Sequence, residues 1–469
     1  MTGHVELAVI GAGPAGLAAA IAAAEAGVAV ALIDGRSRPG GQYFSQPPPE
    51  FSPPLDDSRR QEASTVLAQL AASPVRTIFD TLVWGAFPEA DGGWLLTLYG
   101  PGAPRQLRAG MLVLATGAYD RPIPFPGWTL PGVMTAGAAQ LLLKSQRVLP
   151  GRRFLLSGTG PLQLAVAAQL VQAGAEVAAV LEGAAVSVGR GLKYLGVMRY
   201  QSARLREGLG YGATLRLAGV PLHRGWAVTA VRGKRAVQAA VITRLDAQWR
   251  PIRGTEEILA VDTVLLGYGF TPNTQLSRLL GCEHQFRPEQ GGYVPRRTAE
   301  FETSCPGVFA VGDGAGIGGA ALARLEGRVA GLAVARRLGR WRGSAAVHEQ
   351  AALAKEQRFA RMLGEMFTPG PGLYTLADDR TLICRCEEVP LAEIRTAVRE
   401  GATTVTEVKG CTRAGMGNCQ GRICGELVAR AIASELGQTT PEQVEAAGML
   451  SVRPPLVPLP LSVLAGAGE

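Results

Sequence analysis

From Leu7 to Ala24 the chain carries no charged side chain. Such a run could be a membrane span or a signal segment, and two features oppose both. Glu6 stands where a signal segment would carry Lys or Arg, and Gly11-Ala12-Gly13-Pro14 interrupts the run where a span would need unbroken helix. The pattern instead predicts a buried strand from Val5 to Ile10, a tight turn, and a small-residue helix from about Ala15 to Ala26, closed by Gly27. A second buried strand, Val28 to Ile33, follows. Pro47 to Pro54 reads as a proline-rich surface loop, after which Val66, Leu67 and Leu70 share one helical face. Val75 to Val113 alternates strands and turns as a small β-meander, with Trp94 to Tyr99 among its strands. Leu112 to Ala115, Phe154 to Ser157, Val177 to Leu181 and Asp262 to Gly269 read as further apolar strands. Arg337 to Gln357 is expected to form an exposed charged helix leading out of the body, and helical spacing returns at Pro390 to Glu400 and Gly425 to Leu436. The stretch Val452 to Leu461 is extended and apolar, so it should lie against the body or a partner rather than in solvent.

A length of 469 residues leaves room for about three domains. Hydrophobic residues at 47% and charged residues at 18% fit a globular α/β protein rich in Ala and Gly. The net charge of +8 comes from arginines spread along the chain. No Lys/Arg run with interleaved aromatics occurs, which argues against nucleic acid as a partner. The excess is read as a generally basic surface, with an acidic partner or bound phosphates as the alternative. His4, His223, His284 and His348 are scattered and match no catalytic spacing.

Gly11-Ala12-Gly13-Pro14-Ala15-Gly16 is a G-x-G-x-x-G between a strand and a helix. Gly11 permits the turn, Gly13 leaves room for a pyrophosphate, and Gly16 lets helix and strand pack closely. Pro14 suits the first helical turn, and the helix N-terminus then faces the diphosphate, with Ala15 beside it. Asp34 ends the second strand, 18 residues past Gly16, where it can take ribose hydroxyls. A second unit of this kind opens at Gly158-Thr159-Gly160-Pro161 and closes its second strand at Glu182, but Gln163 stands where the third glycine should be. This site is open between one that binds a nucleotide and one that keeps the fold alone.

Of the seven cysteines, five fall between Cys384 and Cys424. With no secretory signature, thiols this dense indicate a reducing compartment and metal ligation rather than disulfides. Cys384 and Cys386 are one residue apart, so a local turn can aim both sulfurs at one iron. Cys419 follows after thirty-two residues and Cys424 after four more. Four thiolates are what a 2Fe–2S cluster needs. Gly415, Gly417 and Gly421 would let backbone amides approach the sulfurs. A structural zinc knuckle is the alternative, although its pairs usually run C-x2-4-C. Cys305 is expected in the core. No close cysteine pair accompanies the nucleotide motifs, which argues against a disulfide reductase.

Several motifs carry resemblances. Gly40-Gly41-Gln42, the strand ending Ala115-Thr116-Gly117, and Thr303 to Gly312-Asp313 resemble the two-dinucleotide flavoproteins of the thioredoxin and glutathione reductase kind. That resemblance implies an α/β fold of two Rossmann-like domains. FAD would lie along Gly11–Asp34, with Gly41, Gln42, Thr116, Gly117, Gly312 and Asp313 as neighbours. The inserted domain at Gly158, Gly160 and Glu182 would be the NAD(P) domain, and Asp262 to Gly269 the strand returning to the first. Thr412-Arg413-Ala414-Gly415-Met416-Gly417-Asn418-Cys419-Gln420-Gly421-Arg422-Ile423-Cys424 resembles a small helical 2Fe–2S domain of the bacterioferritin-associated-ferredoxin kind. The wording and the whole-chain layout are similar to the α-type flavoprotein subunits of bacterial amine dehydrogenase complexes, the group of opine oxidase, hydrogen cyanide synthase and hydroxyproline and proline dehydrogenases. The ligand set this implies is Cys384, Cys386, Cys419 and Cys424, with Cys411 a bystander.

The expected division is 1–148 and 265–338 for the FAD domain, 149–264 for the inserted domain, 339–373 for a helical linker, 374–437 for the 2Fe–2S domain and 438–469 for a tail. The resemblance implies a hetero-oligomer. In it a β-type amine-oxidising flavoprotein, with or without a small third subunit, takes hydride from a C–N bond, and this subunit relays the electrons. It also admits FMN at a subunit interface, and ATP or NAD(P) as a second nucleotide. The expected location is cytoplasmic, without a transmembrane segment, with a peripheral seat at the inner membrane through the electron acceptor as a variant. Two other readings stay open: a self-sufficient NAD(P)H-dependent reductase, and a scaffold subunit holding a structural adenine nucleotide.

Overall fold

A computed structural model describes residues 3–45, 47–48, 59–90, 92–184, 195–198, 201–343, 347, 349–437 and 440–465. Most of the proline-rich loop 47–54, and His348, lie outside them. The first sheet begins with β1 (Gly3–Ile10), β2 (Val30–Ile33), β3 (Arg76–Ile78), β4 (Leu82–Pro88), β5 (Trp94–Tyr99) and β6 (Gln106–Leu114), in the order β3-β2-β1-β6-β5-β4. β1, β2, β3 and β6 run parallel, and β4-β5-β6 is an antiparallel meander. β6 serves both. Its first half pairs with β5, while Leu112–Leu114 pairs in parallel with a late strand, Val308–Ala310. Leu7, Val9, Leu32 and Val113 face one core under the helices Pro14–Glu25 and Ala320–Arg337. Those two helices touch through their backbones. A Cβ at Gly327 would collide with the Ala15 carbonyl and one at Gly331 with that of Ala19.

The chain leaves this sheet through β7 (Ala118–Asp120) and β8 (Val133–Thr135), then forms β9 (Arg153–Gly158), β10 (Glu176–Glu182), β11 (Leu222–Arg224), the antiparallel β12 (Trp226–Arg232), β13 (Ala239–Arg244) and β14 (Glu257–Ala260), and β15 (Thr263–Gly267). The second sheet has the order β11-β10-β9-β15-β8, all parallel. The expectation for Asp262–Gly269 is corrected here. β15 is the strand beside β9, inside the second sheet, rather than a strand of the first. The inserted unit also takes β8, from ahead of residue 149. An apolar run fits the middle of either parallel sheet, so pattern alone does not choose between them.

After β15 come β16 (Phe270–Pro272), which pairs with β7, the hairpin of β17 (His284–Arg287) and β18 (Gly292–Pro295), and β19 (Val308–Ala310). The helix expected at Arg337–Gln357 is displaced. Ala320–Arg337 ends at Leu338 and Gly339, and a new helix, Gln350–Phe367, packs back on the body through Leu353 and Met362 instead of leading away from it. The C-terminal unit packs the helices Leu391–Arg399, Val405–Thr412 and Gly425–Glu435 around Ile394, Val408, Val428 and Ile432. Val444, Ala447 and Leu450 join this core from the segment expected as a tail, while Leu456 lies buried against the first sheet and donates its N–H to the Trp84 carbonyl. Among the described residues no helix is long and apolar enough to cross a membrane.

Candidate functional site

The three glycines of the first turn do different work. A Cβ at Gly11, where φ is +104°, would strike the Ala115 carbonyl, and one at Gly16 would strike that of Gly11, so both are forced by packing. A Cβ at Gly13 would meet nothing within 4 Å. The free side of Gly13, at the N-terminus of Pro14–Glu25, is where a diphosphate can pass. Asp34 closes the turn from β2: Oδ2 accepts the Ala12 N–H at 2.5 Å and Oδ1 accepts that of Arg36 at 2.8 Å. Each oxygen keeps a lone pair for a ribose hydroxyl. Gly41 packs against Gly13, and Gln42, exposed, reaches the Ala118 carbonyl at 3.5 Å.

The late segment comes to the same turn. Gly312, at φ +67°, lies against Ala15, and Gly314 packs on Thr116 and Gly117. Thr116 Oγ1 donates to the Asn273 carbonyl at 2.7 Å. Asp313 Oδ1 accepts from Gly318 and Gly319 N–H at 3.0 and 3.1 Å, leaving Oδ2 for a ligand, and burial pushes its carboxyl above the usual range. Glu326 holds this corner together. Only 4% exposed, it accepts the Gly312 N–H at 2.8 Å and pairs with Arg297 at 3.0 Å. Sequence reasoning missed Glu326, although an acid on the apolar face of an Ala-rich helix was a signal.

The second turn has similar local geometry and a different outlook. Glu182 accepts from Gly160 N–H and from Gln163 Nε2, each at 2.9 Å, and from Ala184 N–H at 2.9 Å. Burial raises its carboxyl. Gln163 is buried and packs beside Gly267 of β15. The helix–strand packing is therefore kept without a third glycine. The face of Gly160 is covered: the Phe367 ring and Cβ lie 3.4–3.7 Å from where its Cβ would be. The indole of Trp249 lies against Gly183, next to Glu182, and against Gly370. Two aromatic side chains of the same chain thus occupy the ground along which a dinucleotide would lie.

Cys384 and Cys424 are buried, Cys419 is half-buried, and Cys386 and Cys411 are exposed. The four expected ligands meet as two pairs. The Cys424 thiol donates to Cys384 and pulls it down to about 5; burial opposes this, and N–H groups of Gly415 (3.5 Å), Glu387 and Cys386 reinforce it. Cys386 hydrogen-bonds Cys419. A Cβ at Gly417 would collide with Cys386, so the glycine loop closes over that cysteine. Among the described residues no three Cys, His, Asp or Glu side chains are gathered into a preformed metal site. Cys411 takes no part in either pair. Cys305 and Cys282 pack in the core of the first sheet, as expected of Cys305.

Residues 5–339 match the pyridine nucleotide-disulphide oxidoreductase family. The chain belongs to that family. Residues 378–468 match the sarcosine oxidase A3 domain. Across 98% of both chains it is 36% identical to the opine oxidase A-type subunit of Rhizobium meliloti (strain 1021). It is 33% identical to the HcnB subunit of hydrogen cyanide synthase from Pseudomonas aeruginosa, again over 98% of each. The alpha subunit of sarcosine oxidase from Rhizobium meliloti is 28% identical over 99% of this chain and 42% of its own length. With two full-length relatives above 30% identity, the chain belongs to the same family as these opine oxidase and HcnB subunits. The fold is that of L-proline dehydrogenase from P. horikoshii, with a TM-score of 0.71 at 20% identity over 98% of this chain and 79% of that one. T. acidophilum thioredoxin reductase shares the flavoprotein part, with a TM-score of 0.53 at 18% identity over 71% and 99%.

Proposed function

We propose that this chain is the electron-transfer subunit of a hetero-oligomeric oxidoreductase acting on CH–NH donors, a secondary amine of the amino acid or opine class. A partner flavoprotein oxidises the amine to an imine, and the electrons pass through FAD on this chain to a 2Fe–2S cluster. A bound flavin takes up two electrons and releases them singly, and a cluster carries one at a time. The residues here supply position. Gly13 leaves the diphosphate path clear, Asp34 offers acceptors to the ribose, and Asp313 offers one toward the flavin side. Cys384, Cys386, Cys419 and Cys424 would supply the thiolates, and the Gly415 N–H is already aimed at the Cys384 sulfur. Thiols in two contacting pairs, Cys384 with Cys424 and Cys386 with Cys419, are the donor set such a cluster would take.

The observation that carries the reading is the contrast between the two turns, Gly13 open and Gly160 covered by Phe367. A self-sufficient reductase needs NAD(P)H at the second turn. A relay subunit does not, because its electrons come from a partner. The test is anaerobic addition of NADH to the purified chain. The flavin should stay oxidised with NADH and be reduced by an amine only when the partner subunit is present. Rapid bleaching by NADH alone would sink the relay reading. The scaffold reading uses the same open turn, and identifying the extracted nucleotide separates it, since AMP, ADP or ATP in place of FAD would favour it.

A further inference from the structure

A cavity of about 100 Å³ lies between the flavoprotein body and the C-terminal helical unit. That is several times the ~10–15 Å³ a single water needs. Its position joins the two candidate redox sites. Asn273, on one wall, is hydrogen-bonded through its backbone to Thr116 and Gly117 of the flavin side. Gln420 to Ile423, on the other, are the residues between Cys419 and Cys424.

The lining is cationic. Arg121, Arg278 and Arg422 all face the cavity, and among the described residues none of the three pairs with a carboxylate. The acid that also lines it, Glu426, is taken by Arg430 at 2.7 Å. Arg422 donates to the carbonyls of Cys419 and Leu456, at 3.1 and 2.9 Å, and Arg121 to that of Phe270 at 3.3 Å, so their charges remain uncompensated. Burial pulls Arg278 down to about 10. Confining cations together away from water is costly unless an anion joins them.

Unpartnered polar atoms point the same way. Arg121 is 4% exposed and Gln275 9%, yet Arg121 Nε and Gln275 Oε1 find no hydrogen-bond partner, and neither does the hydroxyl of Tyr374. All three residues line this cavity. Guanidinium donors from three separate elements suit a tetrahedral oxyanion better than a planar carboxylate, which presents two oxygens. The free Gln275 Oε1 is an acceptor and calls for a hydroxyl on the ligand. We propose that this cavity is a phosphate site, taking inorganic phosphate or the terminal phosphate of a small hydroxylated ester, seated between the nucleotide turn and the cysteine loop. The proposal stands on the arginines and does not depend on the amine dehydrogenase reading.

The test uses the full chain and calorimetric titration with inorganic phosphate and, separately, ribose 5-phosphate, at ionic strength held constant with chloride. Wild type should bind at least one of them. Tighter binding of the ester assigns the site to a phosphomonoester, and equal or weaker binding assigns it to free phosphate. Arg278→Gln should weaken binding about tenfold or more, and Arg278→Lys should fall between the two. In chloride alone Arg278→Gln should melt no lower than wild type, because an uncompensated cation has been removed. No heat above the chloride control overturns the proposal. So does binding that survives Arg278→Gln but disappears in Gly13→Val, which would assign the anion to the nucleotide turn. A large loss of stability in Arg278→Gln without anion would make the arginine structural and overturns it as well.

Discussion

Gly13→Val separates cofactor binding from folding. Gly13 caps its helix at φ −74° and ψ −176°, a conformation open to any residue, and a Cβ there meets no atom within 4 Å. The ligand-free variant should therefore stay within about 0.5 kcal/mol of wild type. The branched side chain would instead stand in the path of a diphosphate. A nucleotide at a hundredfold excess over its Kd adds about 2.7 kcal/mol to stability. At roughly 2 °C per kcal/mol for a body of this size, the variant should forgo a shift of about 5 °C when nucleotide is added. The assay compares nucleotide released by heat from purified wild type and variant, with melting curves in its presence and absence. Gly160→Val is the matched control. It sits at φ +91° and meets Phe367 at 3.4 Å, so it should cost about 1–3 kcal/mol of stability and leave nucleotide content unchanged. Normal nucleotide content in Gly13→Val, or equal loss in Gly160→Val, would refute the assignment of the first turn.

Three further outcomes are expected. Glu326→Ala should cost about 3–5 kcal/mol in urea unfolding, because it strands Arg297 and the Gly312 N–H; Glu326→Gln should cost less. Serine at Cys384, Cys386, Cys419 or Cys424 should remove iron, whereas Cys411→Ser should keep about two irons per chain by colorimetric assay. Cluster loss in Cys411→Ser, or zinc in the wild type, would redraw the site. Burial lowers His284 from 6.5 to about 4, with Arg278 nearby adding to the effect and a hydrogen bond to the Cys282 carbonyl opposing it. The unfolded chain takes up a proton below pH 6.5 that the folded one refuses, so this contribution, about 3 kcal/mol at most, is complete above that pH and fades toward pH 4. Denaturation midpoints across this range should fall more steeply in wild type than in His284→Gln.

What was legible in the chain, and what was not, follows from the range of the interactions. The segment Gly11 to Asp34 was readable because each requirement is local: a turn, a close backbone approach, a helix start and an acid at a strand end. The structure bears out its strand–helix–strand layout almost residue for residue. The helix Val405–Thr412 was missed although its start was written locally, with Thr404 and Glu407 forming a reciprocal capping box. Gly327 and Gly331, four apart on one helix, were a readable sign of close crossing, but only Ala15 and Ala19 give them meaning.

The deciding contact was beyond any local reading. Gly160 and Phe367 are 207 positions apart, and Trp249 reaches Gly183 from an antiparallel excursion that the motif does not mention. Pattern could say that the second turn had lost a glycine, and that alone left the site open between use and disuse. Gln163 proves compatible with the fold, buried there with its side chain donating to Glu182. The missing glycine is therefore a poor guide to disuse. The better guide is the helix Gln350–Phe367, which turns back on the body and ends with its last side chain on Gly160. Opening the turn to NAD(P)H would require Phe367 to leave an apolar contact it already makes. A dinucleotide would have to supply that energy in addition to its own binding, whereas at Gly13 no such displacement is needed.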